Sequence, residues 1–220
     1  MSLEDIKPIK LDSSKQGIFF TSDLHVGHRN IIKFCKRPWE TTEEMEEALI
    51  ENWNSVITDD DIVFDLGDFA FAPDRKWKEV LGRLNGQHHL IVGNHDVLRN
   101  PGEKILKLFD SVHQQLLLNI DGRYVYLNHY PFLCYGGSWR GAGNAVYSLH
   151  GHVHSGPNCG GKDCDRLKYL FPYQYDVGVD NNNYTPISWE QVKEKIAYQV
   201  EHGVPIYDQE HTIPDEEYGK

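Results

Sequence analysis

Five apolar runs in this chain end in side chains that can hold a metal ion. Asp23 and His25 stand at the end of Ile18 to Leu24 as Asp-x-His, a spacing that puts both side chains on one side of a strand, within reach of a shared ion. Gly67-Asp68 ends Ile62 to Leu66, and Gly93-Asn94-His95-Asp96 ends His89 to Val92. His129 ends Tyr124 to Asn128, and Gly151-His152-Val153-His154 ends Val146 to His150. Any one of these is equally well a turn or a helix cap, because Asp, Asn and Gly suit both. Five such coincidences in one chain point to a common cause. Carboxylate oxygen, amide oxygen and imidazole nitrogen form a donor mixture suited to Mn, Fe, Zn or Ni, rather than to Ca or to a thiolate-held structural zinc.

The elements that must carry these residues alternate between strand and helix. The five runs and a sixth, Tyr175 to Val179, are short, and several are apolar on both faces, as buried strands are. Glu43 to Ile57 places Met45, Ala48, Leu49, Trp53 and Val56 on one helical face behind a Thr41/Glu44 capping box. Ser188 with Gln191 opens another helix, reaching about Val200, striped by Val192, Ile196 and Val200. Shorter helices are expected over Arg75 to Leu84 and Glu103 to Phe109. The alternation, with antiparallel pairing where strands crowd after residue 120, predicts an α/β fold, a four-layer αββα sandwich of two mixed β-sheets flanked by helices. Strand ends in such sheets converge on a crevice, which gathers the five motifs into one site.

A chain of 220 residues supports one sizeable core, so a single domain over 1–220 is expected, with an acidic, proline-spaced arm or tail from about residue 203. The net charge of −11 opposes loose attraction to extended nucleic acid or an anionic membrane and favours a small substrate, or a metal-neutralised site. No apolar run has membrane-spanning length and Met1 to Lys15 lacks a signal-peptide core, which predicts a cytoplasmic protein with no membrane partner. Cys35, Cys134, Cys159 and Cys164 are expected to be reduced thiols; Cys159 and Cys164 are spaced like half of a zinc clip whose other half is not evident.

The ordered blocks Asp-x-His, Gly-Asp, Gly-Asn-His-Asp, His and Gly-His-x-His resemble those of the calcineurin-like metallophosphoesterases. Ser22 to His28, Arg37-Pro38 and Val177-Gly178-Val179-Asp180 look like the small bacterial and phage branch of that family. The resemblance implies two divalent metal ions, one held by Asp23, His25, Asp68 and His154, the other by Asp68, Asn94, His129 and His152, with Asp68 bridging. It implies hydrolysis of a phosphomonoester or phosphodiester, a nucleotide among the candidates, by a hydroxide between the ions. Mn is the first candidate metal, with Fe, Zn, Ni or Mg as alternatives. His95 is implied to contact the phosphate beside Asn94 and to protonate the leaving oxygen.

In many relatives a carboxylate three residues after the bridging Asp orients this imidazole. That position is Phe71 here, which leaves Asp65, and after it Asp96, as the available carboxylates. Their plainer roles are a strand-end turn for Asp65 and a helix N-cap for Asp96. His28 is placed to touch a substrate phosphate, and Arg29 to pair with an anion or a surface carboxylate. His150 is expected to be a buried, hydrogen-bonded histidine, and His88, His89 and His113 to be packing or surface residues. Tyr135, Trp139 and Arg140 occupy a glycine-rich segment that either closes over an aromatic substrate group or packs as an ordinary loop. Two other functions suit such a fold. A non-catalytic binding or scaffold module is disfavoured by the complete ligand set, and a two-metal amide hydrolase by the Gly-Asn-His-Asp block.

Overall fold

A computed structural model of the chain describes residues 7–99, 103–138, 140, 143–158 and 164–202. Trp139, Cys159 and the expected arm from residue 203 lie outside the described residues. The described strands are β1 (Ile9–Leu11), β2 (Ile18–Thr21), β3 (Ile62–Asp65), β4 (Gln87–Ile91), β5 (Ser111–His113), β6 (Gln115–Ile120), β7 (Arg123–Asn128), β8 (Tyr147–His150), β9 (Gln174–Asp176) and β10 (Ile187–Ser188). They form two five-stranded sheets, in the orders β10-β2-β3-β4-β5 and β1-β6-β7-β8-β9. Both sheets are mixed: β10 runs antiparallel to β2 and β6 antiparallel to β7, while every other pair is parallel. The result is the expected α/β sandwich with flanking helices.

Alternation along each strand assigns the faces. Phe20, Phe64, Leu118, Val125, Leu127, Leu149 and Tyr175 point between the two sheets. Val63 and Leu90 point the other way, into a second core with Met45, Leu49 and Trp53 of α2 (Thr42–Val56) and Trp77 of α3 (Asp74–Leu81). Each such side chain contributes about 1.5–3 kcal/mol by leaving water. The capping box of α2 forms in full, with the Thr41 hydroxyl accepting from the Glu44 N–H and the Glu44 carboxylate accepting from the Thr41 N–H. Trp189, Val192 and Ile196 of the C-terminal helix (Trp189–His202) pack into the inter-sheet core beside β9 and β10. Among the described residues no helix is long and apolar enough to cross a membrane.

Several elements are absent from the sequence reading. β6 is a leucine-rich run whose periodicity does not separate strand from helix. β1, β5 and β10 are two- or three-residue edges that exist because a neighbour pairs with them. Helices at Arg29–Phe34 and Asn94–Arg99 were hidden because each is only six residues long. The expected strand from Ile18 ends at Thr21 rather than Leu24, and the reason belongs to the site.

The parallel runs β2-β3-β4 and β7-β8-β9 open their C-terminal ends onto one edge of the sandwich. Backbone bonds stitch the emerging loops together: Asp23 N–H to the Gly67 carbonyl at 2.9 Å, His25 N–H to Asp68 at 2.9 Å, Gly151 N–H to His129 at 3.0 Å, and Val179 N–H to Ser22 at 3.0 Å. Ligand-bearing loops from both sheets are thereby held as one framework.

Candidate metal centre

The chain leaves strand geometry where the donors begin. Asp23, His25, Asp68, His152 and His154 have φ of 61°, 54°, 57°, 72° and 48°, in the left-handed region that costs an L-residue on the order of 1–2 kcal/mol. That turn of the backbone is why β2 stops at Thr21. The loops also approach closely. Gly67, at φ 99°, lies against the backbone of Gly93, and a Cβ on Gly151 would collide with the Ser22 hydroxyl and the Asp23 carboxylate. Side chains at these positions would push the donors apart.

All seven predicted ligands meet at this edge. Asp68 is central: its Oδ2 lies 3.6 Å from His25 Nε2 and 3.6 Å from His129 Nε2. Asp23 Oδ1 lies 3.8 Å from His25 Nε2 and 3.7 Å from His154 Nε2. Asp68, His129 and His152 form one group of converging donor atoms, and Asp23, His25 and His154 another. Asn94 Oδ1 joins the first at 3.1 Å from His129 Nε2.

The hydrogen-bond chemistry of the ring nitrogens shows what this arrangement lacks. His129 Nδ1 is 2.8 Å from the Leu66 carbonyl, which can only accept, so Nδ1 carries the proton and Nε2 presents a lone pair. Burial pushes the His129 imidazole down to about 4, so it is neutral at pH 7. Its Nε2 therefore faces the Asn94 Oδ1 at 3.1 Å, acceptor against acceptor, with Asp68 Oδ2 at 3.6 Å. Asp23 Oδ1 is buried with no hydrogen-bond partner. Burial, followed by the charge of Asp23, pushes Asp68 up to about 8. Burial pulls His154 down, but the Asp23 and Asp180 carboxylates outweigh it and hold this imidazole well above its ordinary value. The raised values of Asp68 and His154 are those of a place that favours positive charge, and a divalent cation fits the donor set.

An outer shell, to which the sequence assigned no role, supports the Asp23 and His154 side. Asp180 Oδ2 is 2.7 Å from His154 Nδ1, which directs Nε2 inward. Arg37 holds Asp180 by two bonds of 2.8 Å, and of its other N–H groups two donate to the carbonyls of Asp23 at 2.7 Å and Leu24 at 2.9 Å and one to the Met45 sulfur at 3.3 Å. One buried guanidinium thus fixes the backbone of one donor and, through Asp180, the ring of another. Cys35 stands in the same group as His154 and Asp180. Asp180→Ala is expected to weaken metal binding about 10–100-fold and, by stranding Arg37, to cost about 3–5 kcal/mol of stability. Competition with a chromophoric chelator reads the first effect, and Asp180→Asn, closer in shape, separates it from the second. Unchanged affinity in both variants would reduce Asp180 to a packing role.

His95 borders the same centre. Its N–H donates to Asp68 Oδ1 at 2.8 Å, and its Nε2 lies 3.9 Å from Asp68 Oδ2, with the side chain 27% exposed. Phe71 meets the His95 ring edge-on at 5.2 Å and the His28 ring at 4.5 Å. His28 Nδ1 is 3.3 Å from His25 Nδ1. Asp96 is the third residue of the helix Asn94–Arg99 rather than its N-cap, and its carboxylate accepts the N–H groups of Asp68, Phe69 and Gly93, tying the ligand loops together. Asp65 accepts the Gly67 N–H at 2.8 Å, supporting the turn that carries Asp68. His150 is buried, with Nδ1 3.3 Å from the Gly151 carbonyl. Tyr135 is half-buried, with its hydroxyl donating to Val146 and its ring among Tyr126, Phe132 and Phe171, so it packs as an ordinary loop residue. The aromatic ring beside the donors is instead Tyr130, 4.6 Å from the His152 ring and 5.0 Å from that of His129.

Comparison with known proteins agrees with this geometry. An uncharacterised protein of Methanocaldococcus jannaschii is 33% identical over 183 residues, covering 81% of this chain and 90% of the relative. The gene 66 protein of Mycobacterium phage L5 is 28% identical over 160 residues, covering 62% of this chain and 77% of the phage protein. The crystal structure of a protein of unknown function from Aquifex aeolicus superimposes with a TM-score of 0.61 at 24% identity, covering 81% of this chain and 98% of the other, and so shares the fold. Residues 17–217 match the calcineurin-like phosphoesterase family, and the chain belongs to it.

Proposed function

We propose that the protein hydrolyses a phosphomonoester or phosphodiester with two divalent metal ions, Asp68 lying between them. The observation that carries this reading is the placement of Asp68 Oδ2 at 3.6 Å from both His25 and His129, which belong to different donor groups. Asp23, His25, Asp68 and His154 would hold one ion and Asp68, Asn94, His129 and His152 the other. Mn is the first candidate, and Fe, Zn, Ni and Mg also suit these donors. Such a pair supplies activated water and neutralises charge on the phosphoryl oxygens.

The chain's own residues do the rest. In the reaction a water oxygen bonds to phosphorus, the ester P–O bond breaks, and a proton goes to the departing oxygen. His95, anchored through its backbone to Asp68 and partly exposed beside it, is placed to bind the phosphoryl group and supply that proton. His28 and Asn94 flank the phosphoryl position, and Asp65 serves the reaction by holding the Gly67-Asp68 turn. Stripping the protein with chelator should abolish turnover of p-nitrophenyl phosphate and bis-p-nitrophenyl phosphate, and Mn²⁺ or one of the other ions should restore at least one. Metal-loaded protein inert toward both esters would oppose the proposal and favour a binding module.

A further inference from the structure

Two grooves leave the candidate centre, and Tyr130 lines both. The first, of about 480 Å³, starts at His152 and runs over Val153 and Leu167 between Tyr130, Leu133 and Tyr169, with Arg166 in its wall. The second, of about 430 Å³, starts at Asn94 and His129 and runs over Val92 and Val97, with Gln114 and Asn128 supplying amides. The residues at which both grooves begin are donors proposed for the same ion, so both open from one phosphoryl position.

The lining has a consistent chemistry. Val97, Tyr130, Leu133 and Tyr169 are 63%, 45%, 72% and 48% exposed, four of the ten large hydrophobic side chains the described surface exposes. Apolar surface gathered around a polar centre marks a binding face rather than scattered exposure. Among the described residues neither groove is lined by a carboxylate, although the chain carries 33 Asp and Glu, which suits an anionic substrate.

The geometry points to a phosphodiester with two apolar or aromatic substituents, one seated in each groove. A monoester has a single substituent and fills one groove. A diester fills both, and hydrolysis converts it to a monoester and an alcohol. This inference rests on the phosphoesterase reading, and it selects the diester within it.

The test compares p-nitrophenyl phosphate, methyl p-nitrophenyl phosphate and bis-p-nitrophenyl phosphate on Mn-loaded protein, all three sharing one leaving group. The bis-aryl ester is expected to have a kcat/KM at least about tenfold above the methyl ester, from burial of its second ring. It should also exceed the monoester. Tyr169→Ala in the first groove and Val97→Glu in the second should each lower the bis-aryl ester's kcat/KM. Equal kcat/KM for the methyl and bis-aryl esters, or preference for the monoester, would overturn the two-groove assignment while leaving phosphoesterase activity intact. Absence of any turnover would instead strike the phosphoesterase reading. Calorimetry would then still read the grooves: diphenyl phosphate should bind the metal-loaded protein at least about tenfold more tightly than methyl phenyl phosphate, and equal binding would overturn the inference.

Discussion

Asp68→Asn is expected to abolish ester hydrolysis, with a loss of about 10³-fold or more. The carboxylate lies 3.6 Å from a histidine of each donor set, and a neutral amide withdraws the charge that both proposed ions would share. Metal-ion stabilisation of a phosphoryl transition state is worth several kcal/mol, and each 1.36 kcal/mol is about tenfold in rate. The same substitution should leave the fold intact. Asn retains an oxygen for the His95 N–H, and the change removes a charge that burial and Asp23 already disfavour. Without metal, the variant should therefore melt at or above the wild-type temperature near neutral pH. The rise in melting temperature that Mn²⁺ gives the wild type should shrink or vanish, because stabilisation by a ligand follows its affinity. A fully active Asp68→Asn would sink the two-ion account.

His95→Asn should separate chemistry from metal binding. Affinity for metal is expected to stay near wild type, since the two proposed donor sets do not require the imidazole. Turnover should fall by about 10²–10⁴-fold for alkyl esters, whose departing oxygen needs a proton, and by less for p-nitrophenyl esters, whose phenolate leaves unaided. A plot of rate against leaving-group pKa should steepen in the variant. Parallel loss across the whole series would assign His95 to phosphate binding alone. Phe71 sharpens the test, because an imidazole packed edge-on against a phenyl ring lacks at that position the carboxylate of many relatives.

The blocks that carry the donors were legible because Asp, Asn and His at five successive strand ends need a shared explanation, and the fold supplies one edge where those ends meet. Their backbone was not legible. The left-handed φ of Asp23 and His25 cuts the first strand short at Thr21, whereas hydropathy alone extends it to Leu24. Arg37 and Asp180 were visible as residues but not as a pair, since 143 positions separate them and a lone Arg or Asp usually lies on the surface. Composition points to the glycine-rich loop for an aromatic group beside the site, yet Tyr135 turns inward to the ring cluster around Tyr126 while Tyr130, next to His129, stays exposed. Sequence spacing identifies side chains that can act together; which of them face outward is decided by packing against the other sheet.

On the proposed function one chain holds two divalent ions that share the Asp68 carboxylate. Elemental analysis of Mn-supplemented protein, after removal of loosely held metal, tests it most directly. Two ions per wild-type chain and at most one in Asp68→Asn are expected. A wild-type chain that retains no metal, or an Asp68→Asn chain that retains two, would contradict it.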